Sequence, residues 1–176
     1  MPRPFEVVAS EPAGKVNEVI LRADEVEWPE GRRATYAVVE QHDAAIVVAI
    51  SERRTVFLVR QWRHSWSADA WELPAGTFQP REEPLACAKR ELAEETGFRA
   101  GRWRSLGTAR ASALLTVKFH LFLARDLTPG ERSPEPYEAD MIVREVPFER
   151  ALEEARDGTI QHAASIAALF RAEAVL

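Results

Sequence analysis

From residue 44 onward the chain sets short apolar runs between polar breaks. Residues 44–50 are continuously apolar and partly β-branched, which predicts a buried strand. After a polar turn at 51–54, residues 55–59 predict a second strand. Residues 70–73 predict a short one ending at Pro74. Residues 85–96 have helical composition, with Pro84 at a favourable first-turn position and Gly97 as the stop. Residues 117–124 read as a core strand. Residues 126–140, rich in Pro, Gly, Glu and Asp, read as a long exposed loop. Residues 142–146 predict a strand, 148–156 a helix stopped at Gly158, and about 162–174 a last helix. Strands mixed with three helices, without strict alternation, predict an α+β or mixed-sheet α/β architecture.

The pattern is thinner before residue 44. Residues 17–22 alternate like a strand, the run from Trp28 turns through Gly31, and residues 35–40 read as a returning strand. Residues 1–40 thus predict a small sheet or hairpin, too little to fold alone.

Composition adds bounds. The 176 residues fit one domain, or one with a small extension, and 46% hydrophobic residues are enough for a sizeable core. The net charge of -5 carries no global basic footprint, so no nucleic-acid partner is expected. The single cysteine, Cys87, excludes an intramolecular disulfide and reads as a small buried residue. No apolar run is long enough to span a membrane and the first residues show no signal region, so a cytoplasmic protein without a membrane partner is the expectation.

The candidate chemistry sits in residues 76–98. On a helix, Glu91 lies three and four residues before Glu94 and Glu95, so the carboxylates share one side. Like charges at this spacing destabilise a helix by roughly 0.2–0.5 kcal/mol per pair. A solvated acidic face is the plain explanation of such a cluster. A hard divalent cation supplies a stronger reason, since Mg²⁺ or Mn²⁺ prefers carboxylate oxygens. Leu85, Ala88 and Leu92 form the apolar stripe expected to dock this helix, and Arg90 is placed to orient the carboxylates.

The spacing decides between these readings. Gly76, Glu82, Arg90, Glu91, Glu94, Glu95 and Gly97, with apolar Leu92 and Phe98, match the Nudix box at every fixed position. Seven such identities are expected by chance roughly once in a billion start positions. The chain therefore resembles the Nudix hydrolases. The resemblance implies a Nudix-type α/β/α sandwich with a mixed β-sheet over residues 42–176, plus a short N-terminal β extension over 1–41. It implies Glu91 and Glu95 as principal metal ligands, Glu94 as a further ligand, Glu82 as a supporting carboxylate, and the Ala75 carbonyl as another donor. Glu91, Glu94 and Arg90 are thereby the expected catalytic residues of the box, and Mg²⁺ or Mn²⁺ the expected cofactor.

The flanks narrow the resemblance. Arg60-Gln61-Trp62-Arg63-His64, the run 71–76, and the tail segments 146–152 and 157–165 are similar to ADP-ribose pyrophosphatases. This implies hydrolysis of ADP-ribose to AMP and ribose 5-phosphate, with Arg63 on a substrate phosphate and Glu72 lining the cleft. It also implies a homodimer built partly by the N-terminal strands. Residues 109–116 lack the Ser-Pro-Gly element usual there, which keeps other nucleoside diphosphate sugars and dinucleotides such as NADH or FAD close behind. A non-catalytic nucleotide-sensing module and a nucleoside triphosphate hydrolase rank lower, because the box carboxylates are complete and the tail is ADP-ribose-like.

The remaining assignments rest on less. Glu138, ahead of Glu135 and Asp140, is the expected loop base, beside a plain solvated-loop reading. Arg63 has the alternative of a surface ion pair. Trp28, Trp62 and Trp66 are expected to pack in the core or a dimer interface rather than stack on a base. His64, His120 and His162 are expected to satisfy local hydrogen bonds.

Overall fold

The computed structural model describes residues 3–134, 136–138 and 140–176. They form two compact units: Met1–Asp43 with Arg110–Lys118, and Ala44–Ala109 with Phe119–Leu176.

In the first unit, β1 (Glu6–Val16), β2 (Val19–Glu27) and β3 (Arg33–Glu40) make an antiparallel meander. The turn before β3 closes where Gly31 N–H donates to the Trp28 carbonyl at 2.8 Å, with Gly31 at φ +83°. The predicted strand at 17–22 begins two residues later, because Asn17 adopts a left-handed turn conformation. Strand β1 is new. It is almost wholly exposed and holds Pro12 and Gly14, so no buried face imposes an alternating pattern. Residues 110–118 join this unit: Val39 N–H donates to Leu114 O and Thr116 N–H to Val39 O. Trp28 packs on Phe5 and under Arg32.

The second unit contains β4 (Ala44–Ala49), β5 (Thr55–Arg63), β6 (Ala68–Glu72), β7 (Ala75–Thr77) and α1 (Pro84–Thr96). It continues with β8 (Phe98–Ala109), β9 (Phe119–Pro129), β10 (Ile142–Pro147), α2 (Phe148–Asp157) and α3 (Ala163–Glu173). One sheet has the order β10-β5-β6, the other β7-β4-β9-β8. Strands β4 and β9 are parallel and the other pairs antiparallel, so the fold is mixed.

Strand β4 explains its own sequence. Ala45, Val47 and Ala49 meet Cys87, Ala88 and Leu92 of α1, whereas Ile46 and Val48 meet α2 and α3 through Ala151, Leu152, Ala168 and Leu169. A strand covered on both faces is apolar without alternation. The result is the expected α/β/α sandwich. Full burial of Leu92 contributes about 1.5–3 kcal/mol to docking α1. Leu85 corrects the predicted stripe: it is 37% exposed, and Cys87 takes the core position. Burial pushes the Cys87 thiol up to about 12, so it stays protonated.

Strand β8 was not legible either. A register shift between Ser105 and Thr108, with Gly107 at φ +83°, breaks the period of two. Because β8 pairs with β9 as far as Pro129, the expected loop from 126 shrinks to start at Gly130. Trp62 and Trp66 are exposed rather than in the core. Among the described residues, no helix is long and apolar enough to cross a membrane.

Candidate active site

Helix α1 carries the acidic cluster. Pro84 occupies its first turn and Gly97 closes it at φ +77°, its N–H donating to the Ala93 carbonyl at 2.9 Å. A Cβ at Gly97 would lie 2.9 Å from the Gly130 carbonyl, so the turn also needs the missing side chain. Gly76 is constrained from the other direction. A Cβ there would fall 1.8 Å from Glu91 Oε1, so that carboxylate rests directly on the backbone of β7.

Arg90 organises the rest. Its Nε and Nη2 donate to Glu82 at 2.8 Å each, and its Nη1 to Glu91 at 2.6 Å and Glu94 at 3.0 Å. Its Nη2 also reaches the Thr77 carbonyl. Bonds from Arg90 hold the Glu82 carboxyl down to about 2 against a smaller effect of burial. Glu91 goes the other way. Burial pushes it up to about 7, outweighing the charge and hydrogen bond of Arg90. Glu95 is fully buried and is pushed well above the usual carboxylate range, by burial first and the Glu91 charge second. Its Oε2 accepts the Ala75 N–H at 3.0 Å, while its Oε1 is buried without a hydrogen-bond partner.

Beside this cluster lies a recess of about 210 Å³. Gln61, Arg63, Gly76, Arg90, Glu91 and Glu138 contribute to its wall, as does Ala75. The chain thus gathers the acidic helix, the end of β5 and the loop residue Glu138 at one opening. Glu138 acts electrostatically on Glu91, Glu95 and Arg63. Asp140 is exposed and does not line the recess, and Glu135 lies outside the described residues.

Glu72 corrects one expectation. It does not line the opening but is completely buried, since both oxygens are taken by Arg63, Nε to Oε1 at 2.7 Å and Nη2 to Oε2 at 2.5 Å. The ion pair foreseen as the alternative for Arg63 is present, with a buried rather than a surface partner. Gln61 was missed, although it shares a strand face with Arg63 at a spacing of two. Among the described residues, no three carboxylate, imidazole or thiol groups stand together in an ion-holding geometry. Arg90 occupies oxygens of three box carboxylates.

Comparison with known proteins places the chain. A model described as the NUDIX domain matches residues 40–169. The chain belongs to the NUDIX family. This Nudix chain is 34% identical to the ADP-ribose pyrophosphatase of Mycobacterium tuberculosis (strain ATCC 25618 / H37Rv), over 97% of itself and 84% of the relative. It is 32% identical to the ADP-ribose pyrophosphatase of Bacillus subtilis (strain 168), over 80% and 76%. A solved structure described as an ADP compounds hydrolase superposes with a TM-score of 0.87 at 21% identity, covering 99% of this chain and 95% of the other, which shows the shared fold. The protein is accordingly a Nudix pyrophosphohydrolase.

Proposed function

We propose that this Nudix enzyme hydrolyses the pyrophosphate of a nucleoside diphosphate derivative, with ADP-ribose cleaved to AMP and ribose 5-phosphate as the first choice. The observation that carries this reading is the recess where Glu91, Glu138 and the Arg63 guanidinium meet beside the complete box. Two relatives bearing the ADP-ribose pyrophosphatase name along most of the chain support the substrate.

The residues fit a hard divalent cation, Mg²⁺ or Mn²⁺. The buried Glu95 Oε1 has no partner, Glu91 is raised by burial, and both are oxygen donors that a divalent charge would favour in ionised form. Glu91 and Glu95 would hold it, with Glu94, Glu82 and the Ala75 carbonyl as further donors. Such an ion lowers the pKa of water and polarises phosphoryl oxygens. The protein's own part is then to bind and orient. Arg63 holds a phosphate oxygen. Arg90 releases Glu91 while keeping Glu82 and Glu94 aligned. Glu138 accepts a proton from the attacking water as its oxygen bonds to phosphorus. The bridging P–O bond breaks and its electrons leave with the departing phosphate.

A substrate panel with Mg²⁺ tests this reading. AMP release from ADP-ribose is expected to exceed turnover of other nucleoside diphosphate sugars, NADH and FAD. Preference for a nucleoside triphosphate would overturn it. Preference for another nucleoside diphosphate conjugate would move the substrate within the same reading. That alternative has its own support, since residues 109–116 lack the Ser-Pro-Gly element and all but the first of them group with the N-terminal strands.

The assembly is proposed to be a homodimer formed partly by residues 1–41. Val7, Val8, Val16, Val19 and Leu21 expose apolar side chains on β1 and β2. Light scattering is expected to give twice the chain mass of 19.8 kDa, and a monomer at working concentration would refute it.

A further inference from the structure

Glu72 is a completely buried carboxylate, held by Arg63 of β5 and approached by His162, the N-cap residue of α3. Such an anion is tolerated only while donors fill its oxygens. Arg63 supplies two. The third contact is His162 Nδ1, 3.4 Å from Oε2. The same Nδ1 lies 2.8 Å from Ser165 Oγ, three residues further along the helix. Ser165 is itself fully buried and accepts the N–H of Leu73, the residue after Glu72, at 2.9 Å. Nδ1 thus lies on the side of the imidazole that faces the Glu72 carboxylate and Ser165 Oγ. The Phe119 ring meets the imidazole edge-to-face, with centroids 6.1 Å apart.

The segment so held leads straight to the acidic cluster. Leu73 is tied to α3 through Ser165, Pro74 has no N–H, and the Ala75 N–H donates to Glu95. Arg63 meanwhile faces competing attraction. Its guanidinium is held more firmly protonated first by the bonds to Glu72, and further by the charges of Glu95 and Glu138. Without the fork to Glu72, the charges of Glu95 and Glu138 would draw the guanidinium from its place at the wall of the recess.

We propose that His162 and Ser165 are positioning residues: through Glu72 they keep the Arg63 guanidinium at the wall of the recess and away from the box carboxylates. The proposal rests on the recess being the substrate site. It adds a role for the N-cap and first turn of α3, whose His162 and Ser165 are not among the described residues that line the recess.

The test separates the two ideas by using two readouts on the full chain. The first is NMR exchange of the Arg63 Nε–H, assigned with Arg63→Lys. His162→Leu and Ser165→Ala are expected to speed that exchange at least about tenfold, and His162→Asn, which restores a donor near Nδ1, to return it toward wild type. Unchanged exchange in both folded variants overturns the proposal. The second readout is steady-state kinetics. His162→Leu is expected to raise KM for ADP-ribose about tenfold with kcat within about threefold, and to add nothing further in an Arg63→Gln background. Additive losses there overturn the proposal. Faster exchange with an unchanged KM upholds the positioning and instead refutes phosphate contact by Arg63.

Discussion

Helix α1 buries Glu91 and Glu95 and helix α2 buries Glu154, and Glu95 and Glu154 are satisfied in opposite ways. On α2, Glu154 is 3% exposed and has a guanidinium on each oxygen, Arg150 Nε on Oε1 at 3.1 Å and Arg144 on Oε2. Arg144 is in turn fixed over the Trp71 ring, its Cζ 3.8 Å from the centroid. On α1, Glu95 is wholly buried with one backbone N–H on one oxygen and nothing on the other. A buried carboxylate matched by arginines is a structural device. One left unmatched beside a second raised carboxylate, Glu91, has an unmet demand for positive charge, and in the proposed function a divalent cation meets it.

Substitutions at Glu95 and Glu154 test this contrast. Glu95→Gln keeps the shape and removes the charge. Turnover in Mg²⁺ is expected to fall on the order of 10²–10³-fold, with no loss of thermal stability in metal-free buffer. Near-normal turnover by the folded variant would place Glu95 with Glu154 as a structural group. Glu138→Gln follows in size. A positioned base contributes roughly 10²–10⁴-fold, so kcat is expected to drop at least about 10²-fold while metal affinity holds. A loss of only a few-fold would remove Glu138 from proton transfer.

Glu154→Gln is expected to do the reverse of Glu95→Gln. It leaves Arg144 facing an uncharged partner, at a cost of about 1.5–3 kcal/mol in denaturant unfolding, with activity per folded molecule unchanged. A stability equal to wild type would end the contrast from the α2 side. The smallest effect concerns pH. Burial lowers the His162 pKa from 6.5, and the Glu72 charge opposes this less strongly. The folded state therefore binds the proton more weakly than the unfolded chain does. The stability this gives is complete above pH 6.5 and is lost as pH falls through the lower folded value. Melts between pH 7.5 and 5 are expected to fall more steeply for wild type than for His162→Asn, and parallel slopes would refute the assignment.

Local rules carried much of the fold. The caps of α1, the doubly covered β4 and the helix after Pro147 were legible because each depends on residues within one or two turns or on a short apolar run. Strands β1 and β8 were not, since an exposed edge and a bulged strand leave no regular apolar period. Within the candidate site, the box residues stood out by spacing alone. Glu138 could be picked as a loop acid, but its place at the recess beside Arg63 and Glu91 is a tertiary contact that no local pattern encodes. Ser165 carried no signal, because its partner, Leu73, lies 92 residues away.

That Glu91, Glu94 and Glu95 share one side of a helix follows from spacing alone, since helical periodicity is local. Spacing could not say which acids would be matched. Leu92-Ala93-Glu94-Glu95 and Leu152-Glu153-Glu154 look alike as acidic helix segments. Packing brought Arg144 to Glu154 and Arg63 to Glu72, and left Glu95 Oε1 buried without a hydrogen bond, with Arg63 acting on it only through its charge. The charge balance of a buried group is a sum over neighbours from distant strands, and the pairing of β5 with β6 and β10 decides who those neighbours are.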